Sequence, residues 1–135
     1  WEDWCFKSVD LDIEDTQKYL DDQYVSGPLQ LLINSYQYLL KNHPRKTPVK
    51  ITTYVEAPPG SGLGSSSALV VALVTAISEY YGIPYDEYQT AAAALRIERD
   101  ICDLPGGKQD QYSAAFGGFT IPVIPVVCTC TLLKF

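Results

Sequence analysis

Hydrophobic residues recur along this chain at two spacings, one typical of helices and one typical of strands. Between residues 28 and 42 they follow a period near that of an α-helix, which predicts a packing helix. From 47 to 56 apolar and polar residues alternate, as in a strand with one buried face. Residues 66–81 are apolar on nearly every side, which predicts a helix buried on most of its surface, and Gly82 ends it.

Two further elements have less regular patterns. Residues 86–102 favour a second long helix, in which the run Ala91–Ala94 would let a neighbouring element approach closely. An opening strand is predicted near 4–11, although Asp10 and Asp12 weaken the pattern. This order of strands and helices predicts the α+β class, with an antiparallel or mixed sheet.

A glycine- and serine-rich run at 58–68 separates the strand from the buried helix. Its glycines lack a Cβ, so the backbone can take positive φ and bring N–H groups close to a ligand. Its serines supply hydroxyls at the start of a helix, where unpaired N–H groups favour an anion. A flexible linker has a similar composition, but apolar segments flank this run on both sides. The pattern therefore indicates an anion site.

Neither of two well-known phosphate loops fits the spacing. A Walker loop needs a lysine after its last glycine, whereas Gly64 is followed by Ser65. A dinucleotide fingerprint needs G-x-G-x-x-G, and the glycines here run G-x-G-x-G. Residues 58–67 instead resemble the second signature motif of the GHMP kinases, P-x-x-x-G-L-G-S-S-[AS], throughout.

A second stretch, residues 95–118, is similar to the catalytic segment of the same superfamily. In galactokinase-like members a helix carries a glutamate, a turn rich in proline and glycine follows, and an Asp-Gln pair opens the next helix. The matching positions are Glu98, the turn 105–107, and Asp110 with Gln111. The sequence Gly-Lys-Gln-Asp-Gln-Tyr most resembles that of the branch that phosphorylates D-glycero-D-manno-heptose 7-phosphate.

The resemblance implies an ATP-dependent kinase that uses Mg²⁺ and acts on a sugar or sugar-phosphate hydroxyl. Such chemistry needs a phosphate cradle, oxygen ligands for the metal and a group near the attacking hydroxyl. By resemblance, Ser66 and Glu98 would be the metal ligands, and Asp110 would act as general base or as an orienting charge, a choice left open. The residues expected at the ATP phosphates are Pro58, Gly60, Ser61, Gly62, Leu63, Gly64, Ser65, Ser66 and Ser67.

Three polar residues beside Asp110 are candidate substrate contacts. Lys108 could meet a substrate phosphate as a point charge, and Gln109 and Gln111 could bond sugar hydroxyls. Structural roles stay open for the main candidates as well. Glu98 lies in a charged stretch that could be solvated surface, and Asp110 could cap a helix that begins near Gln111.

Composition and cysteine spacing argue against several other classes of protein. A net charge of −6 over 135 residues argues against general nucleic-acid binding, which needs a basic surface. No stretch reaches the apolar length of a membrane span, and no leader pattern opens the chain, so a cytoplasmic location is expected. Cysteines occur at 5, 102, 128 and 130, without metal-site spacing, and are expected to be reduced thiols.

The resemblance also implies a domain assignment. Residues 1–119 would form the central part of a GHMP kinase N-terminal domain, which resembles domain 2 of ribosomal protein S5. That domain would be incomplete, because the first and third family motifs have no counterpart, and the chain is expected to be an inactive fragment by itself. Residues 120–135, with prolines at 122 and 125, are expected to be an atypical tail that is non-native in origin.

Two alternative functions stay open. One is a non-catalytic nucleotide- or sugar-binding protein on the same fold. The other is a different small-molecule kinase of the superfamily, similar to galactokinase or mevalonate kinase.

Overall fold

One mixed sheet and a set of helices make up the part of the chain that the computed structural model describes. That part comprises residues 3–44, 46–57, 64–106, 109–116 and 128–133, with the backbone alone for Gln109 and for residues 128–133. The strands are β1 (Trp4–Ser8), β2 (Ile13–Gln17), β3 (Lys50–Val55) and β4 (Cys128–Leu133). The helices are α1 (Gln30–Leu40), α2 (Ser65–Tyr81), α3 (Glu87–Arg96) and α4 (Gln109–Phe116), with a π-helical turn (Ile97–Ile101) directly after α3.

The strand order is β2-β1-β3-β4. β1 pairs antiparallel with β2 and parallel with β3, while β3 pairs antiparallel with β4. The parallel pair requires a crossover, and α1 lies in that connection. The prediction of an α+β fold with a mixed sheet is therefore confirmed.

The alternation in β3 has the predicted physical origin. Val49, Ile51 and Thr53 are buried, whereas Lys50 and Tyr54 on the opposite face are more exposed. One face of the strand thus contributes to a core formed with α1 and α2. The strand ends at the glycine- and serine-rich run, and α2 begins on the far side of it.

A tyrosine network closes the core at the other end of α2. The hydroxyl of Tyr36 accepts a hydrogen bond from Trp4 Nε1 at 3.0 Å and donates to the carbonyl oxygen of Thr47 at 2.9 Å. The hydroxyl of Tyr81 donates to the same carbonyl at 3.1 Å. His43 packs edge-on against the ring of Tyr81, and this contact gives the histidine a structural role. The network joins β1, α1 and α2.

Two helix ends have strong local signals. Gly82 follows α2 in the left-handed conformation, with φ of 71°, where glycine is favoured. Asp86 begins α3 with a capping box, because its side chain accepts from the Gln89 backbone while the Gln89 side chain accepts from the Asp86 backbone. These signals account for the sharp break between α2 and α3.

The sequence patterns missed two features. β2 was not predicted, because its sequence Ile-Glu-Asp-Thr-Gln has a single apolar residue; its acidic side chains suit the edge of the sheet. The helix predicted over 86–102 is α-helical only to Arg96, and the π-helical turn takes its place up to Ile101.

Part of the predicted atypical tail lies in the sheet. Cys130 pairs with Thr53 and Leu133 with Lys50, so β4 occupies the edge beside β3. Residues 122 and 125, the prolines of the tail, lie outside the described residues. The assignments of residues 1–119 and 120–135 stay predictions, since strand pairing does not test the origin of the segment.

Candidate functional site

The N-terminus of α2 has the geometry of an anion site. Gly64 precedes the helix in the left-handed conformation, with φ of 71°, and its carbonyl accepts the first helical hydrogen bond from Ala68 at 3.0 Å. Glycine has no side chain that could cap the N–H groups of the first turn, and these groups carry the positive end of the helix dipole. The first turn carries Ser66 with an exposed side chain and Ser67 with a buried one.

Glu98 lies on the π-helical turn and is directed at this helix end. Its side chain is buried, with 2% of the residue exposed. Oε2 accepts a hydrogen bond from Ser66 Oγ at 3.0 Å, and Oε1 accepts from Ser67 Oγ at 2.8 Å. A buried carboxylate is strongly disfavoured without such partners. The interpretation of Glu98 as solvated surface is therefore wrong.

Arg99 compensates the charge of Glu98. Its Nη1 lies 3.1 Å from Glu98 Oε2, and the side chain of Arg99 is largely buried. The same guanidinium donates from Nε to the carbonyl of Gly106 at 3.1 Å and from Nη1 to the carbonyl of Leu104 at 3.3 Å. Arg99 thus fastens Glu98 to the segment that leads into α4.

Gly106 makes room for this arrangement. Its φ is 142°, a conformation that residues with a Cβ rarely adopt. A Cβ at Gly106 would lie 2.6 Å from Nη2 of Arg99, closer than any normal contact. The glycine is needed both for the turn and for the guanidinium that lies against it.

Asp110 lies in the first turn of α4, beside the N-terminus of α2. A Cβ at Gly64 would lie 3.1 Å from both Cγ and Oδ2 of Asp110, so the carboxylate lies against this glycine. The Asp110 side chain is exposed. Since α4 begins at Gln109, Asp110 lies within the helix and the alternative that it is the N-cap residue is wrong. Its charge is favoured by the helix dipole at this position.

Gln111 connects α4 to Glu98. It is fully buried, and its Nε2 donates to Glu98 Oε1 at 2.7 Å and to Ser67 Oγ at 3.2 Å. The opposite amide orientation would place an oxygen against the carboxylate, so the network fixes Nε2 as the donor. The amide Oε1 is buried without a hydrogen-bond partner among the described residues, at a cost of about 1–3 kcal/mol.

The structure therefore brings together Gly64, Ser66, Ser67, Glu98 and Asp110 from the predicted set. Ser65 begins α2 beside them. Gln111 joins the cluster but faces Glu98 from a buried position, and its predicted contact with a sugar hydroxyl stays a prediction. The remaining predicted positions lie outside the described residues: Pro58, Gly60, Ser61, Gly62, Leu63, Lys108 and the side chain of Gln109.

Sequence reasoning missed Arg99. Its neighbour Glu98 was identified through a motif, but adjacent residues on an α-helix do not face the same side. The π-helical turn changes that geometry locally, and no simple sequence pattern predicts such a turn. The glycine at 106 was a usable signal, since a glycine in a turn can mark a close approach.

The oxygen pair of Ser66 and Glu98 fits a magnesium ion. Adjacent ligands of an octahedral ion with bonds of about 2.1 Å lie roughly 3.0 Å apart. Ser66 Oγ and Glu98 Oε2 are 3.0 Å apart, and both are hard oxygen donors. Within the described ranges, no group of three or more His, Cys, Asp or Glu residues could hold a metal. Two protein ligands suit Mg²⁺, which keeps several waters and binds substrate phosphates.

The described residues also form a large cavity away from this site. A cavity of about 850 Å³ lies at the opposite end of α2, lined in part by Tyr24, Tyr38, Gly82 and Arg96, and contains none of the predicted site residues. Among the helices of the described segments, none is both long and apolar enough to cross a membrane.

Comparisons with known proteins agree with this geometry. Residues 30–118 match the family model of the GHMP kinases N terminal domain. The chain is 42% identical over 94 residues to the D-glycero-alpha-D-manno-heptose 7-phosphate kinase of Campylobacter jejuni, covering 69% of this chain and 28% of that protein. It is 37% identical over 105 residues to the galactokinase of Thermotoga maritima, covering 78% of this chain and 27% of that protein.

A solved structure shows the same fold. The D-glycero-D-manno-heptose 1-phosphate kinase of Bacteroides thetaiotaomicron superposes with a TM-score of 0.80 at 37% identity, covering 87% of this chain and 39% of that one. The chain thus spans between about a quarter and two fifths of the length of these relatives. The resemblance to the superfamily and the predicted fold are confirmed. This chain belongs to the GHMP kinase family, of whose N-terminal domain it forms a part.

Proposed function

We propose that this chain is the nucleotide-binding part of an ATP- and Mg²⁺-dependent kinase that phosphorylates a hydroxyl group of a phosphorylated heptose. The observation that carries the proposal is the convergence at the α2 N-terminus. Glu98 accepts a hydrogen bond from Ser66 there at 3.0 Å, and Asp110 lies against Gly64. An anion site, a pair of oxygen ligands and a second carboxylate are the groups that phosphoryl transfer requires.

Each part of the cluster has a task in this reaction. The backbone N–H groups at the start of α2 bind the phosphates of ATP, and the helix dipole adds to the attraction. Ser66 and Glu98 would hold Mg²⁺, which neutralises phosphate charge when bound. Arg99, with Nη1 3.1 Å from Glu98 Oε2, offsets the charge of this buried carboxylate and holds it in place.

Asp110 completes the arrangement. Its exposed carboxylate at the α2 N-terminus can accept a hydrogen bond from the acceptor hydroxyl, which orients that oxygen toward the terminal phosphate. It can also take the proton as the new bond forms. Both tasks require the carboxylate close to the phosphate site, and the contact with Gly64 supplies that proximity.

The relatives support the class of acceptor. One acts on D-glycero-alpha-D-manno-heptose 7-phosphate, and the structural neighbour is a heptose 1-phosphate kinase by its description. The galactokinase relative covers more of the chain at lower identity, which makes galactose the natural competing acceptor. We assign the heptose 7-phosphate as the leading acceptor.

The experiment measures ADP release from Mg²⁺ and ATP by the full-length protein to which this chain belongs, because the chain by itself is expected to be inactive. The acceptors compared are D-glycero-D-manno-heptose 7-phosphate, the 1-phosphate and galactose. The Asp110→Asn variant should lose about 100-fold or more in kcat. Asp103→Asn is the matched control, because Asp103 is an exposed aspartate with φ of 53° that asparagine tolerates.

Turnover with a heptose phosphate that depends on Asp110 and not on Asp103 supports the proposal. Equal activity of the Asp110 variant and the unsubstituted protein overturns the role of Asp110. Tight nucleotide binding without any turnover would favour the non-catalytic alternative.

A further inference from the structure

We infer that Gln111 and Arg99 are positioning residues that hold Glu98 from two sides. The inference rests on the proposed function, because it concerns the carboxylate assigned to the metal. Gln111 contacts Oε1 from α4, and Arg99 contacts Oε2 from the π-helical turn. Together the two side chains fix the orientation of the carboxylate and its place relative to Asp110.

The first contact is direct. Gln111 follows Asp110 in the sequence, and its Nε2 lies 2.7 Å from Glu98 Oε1. A shift of α4 that moves Asp110 therefore also moves the group that orients Glu98. The buried amide keeps an unpaired oxygen in this position, so the residue is not explained by satisfying its own hydrogen bonds.

The second contact runs through the turn before α4. Arg99 joins Glu98 Oε2 to the carbonyls of Leu104 and Gly106, which lead into α4. The backbone closes the same loop, since the N–H of Leu104 donates to the carbonyl of Glu98 at 2.9 Å. These contacts fix the position of the Glu98 carboxylate relative to α4, the helix that carries Asp110.

Outer partners of this kind tune metal sites. A ligand that is free to rotate binds an ion less well than one held in the productive orientation. Ser66 can change the direction of its hydroxyl proton, so its oxygen lone pair becomes available without moving Glu98. The contacts of Gln111 and Arg99 with Glu98 should therefore strengthen the metal-dependent part of nucleotide binding.

The test measures the affinity of the full-length protein to which this chain belongs for a fluorescent ATP analogue, mant-ATP, with and without Mg²⁺. The metal gain is the dissociation constant without Mg²⁺ divided by that with Mg²⁺. Gln111→Met removes the donor and keeps the volume, and we expect the metal gain to fall by about tenfold or more. Affinity without metal should stay within about threefold, since the α2 N-terminus is unchanged.

Gln37→Met is the matched control. Gln37 is also buried, and it donates to a backbone carbonyl and accepts from Lys46, away from the site. Thermal melting should show a similar loss of stability for both variants. A metal gain that is unchanged in Gln111→Met, or equally reduced in both variants, overturns the inference.

A second pair of variants tests Arg99 without removing its charge. Gly106→Ala places a Cβ 2.6 Å from Nη2 of Arg99, so the guanidinium must move. Gly27→Ala carries a comparable backbone strain, with φ of 117° against 142°, and its Cβ would have no atom within 4 Å. The metal gain should fall in the first variant and persist in the second.

The pair also covers the case in which Gln111→Met does not fold. If the unsubstituted full-length protein shows no binding of mant-ATP or no metal gain, the proposed function fails, and this inference falls with it. If the unsubstituted protein shows the gain and the Gly106 and Gln111 variants keep it, only the positioning role of Gln111 and Arg99 is wrong.

Discussion

The two glycines at the ends of α2 allow a direct test of the position of Asp110. Gly64 and Gly82 have the same φ of 71° and ψ values of 26° and 31°, one at each end of the helix. Replacement by alanine costs each site about 1 kcal/mol or more of left-handed backbone strain. The two substitutions therefore impose similar backbone strain, and they differ in what the new Cβ meets.

At Gly64 the Cβ would lie 3.1 Å from Cγ and Oδ2 of Asp110, whereas at Gly82 no atom lies within 4 Å. An ordinary contact between carbon atoms is about 3.5–4.0 Å, so Asp110 must move by a few tenths of an ångström or more. Because its side chain is exposed, the movement costs little stability. The cost should instead appear in the reaction, where displacement of a group by about 1 Å can lower the rate on the order of 100-fold.

The assay combines thermal melting of this chain with ADP release from Mg²⁺-ATP by the full-length protein to which it belongs. We expect both variants to lose about 3 to 5 °C in Tm, as about 1 kcal/mol implies for a domain of this size. Gly64→Ala should also lose about tenfold or more in kcat/KM, while Gly82→Ala stays within about twofold of the unsubstituted protein. Equal activity of the two variants would refute the placement of Asp110 against the phosphate site.

Three further outcomes are expected. Glu98→Gln should abolish the metal dependence of nucleotide binding and destabilise the fold by about 1–3 kcal/mol in chemical denaturation, since the partner charge of Arg99 loses its counter-ion; an unchanged metal dependence would contradict this. Asp86→Ala should lower stability by about 1 kcal/mol through the lost capping box and leave turnover unchanged. Burial, with a smaller contribution from the hydrogen bond to Tyr81, raises the pKa of Tyr36 well above its ordinary value of 10.0. The unfolded chain therefore loses this proton first, stability should fall as pH rises above about 10, and Tyr36→Phe should lessen that fall in urea denaturation across this range.

Where local signals were strong, the sequence predicted the fold well. The alternation from Val49 to Val55 gave the strand and its buried face, and the apolar surface of 66–81 gave the buried helix. Both patterns report which side chains leave water, and that property is local. β2 could not be found in this way, because an edge strand is held by backbone pairing with β1 and needs few apolar residues.

The sequence predicted which residues form the site better than it predicted how they contact one another. Ser66, Glu98 and Asp110 came from motif resemblance, and the structure places all of them around the α2 N-terminus. The contacts of Arg99 and Gln111 with Glu98 depend on the π-helical turn and on long-range packing of α4. These are tertiary effects, and residue spacing alone does not contain them.

The nucleotide site at the start of α2 can be tested most directly by an NMR titration of the protein with Mg²⁺ and a non-hydrolysable ATP analogue. We expect the largest chemical-shift changes at the backbone amides of Ser65, Ser66 and Ser67 and at the side-chain amide of Gln111. We expect small changes at Gly82 and Ile83, at the other end of the same helix. Shifts concentrated around Gly82, or none at the start of α2, would contradict the assignment of this helix end as the nucleotide site.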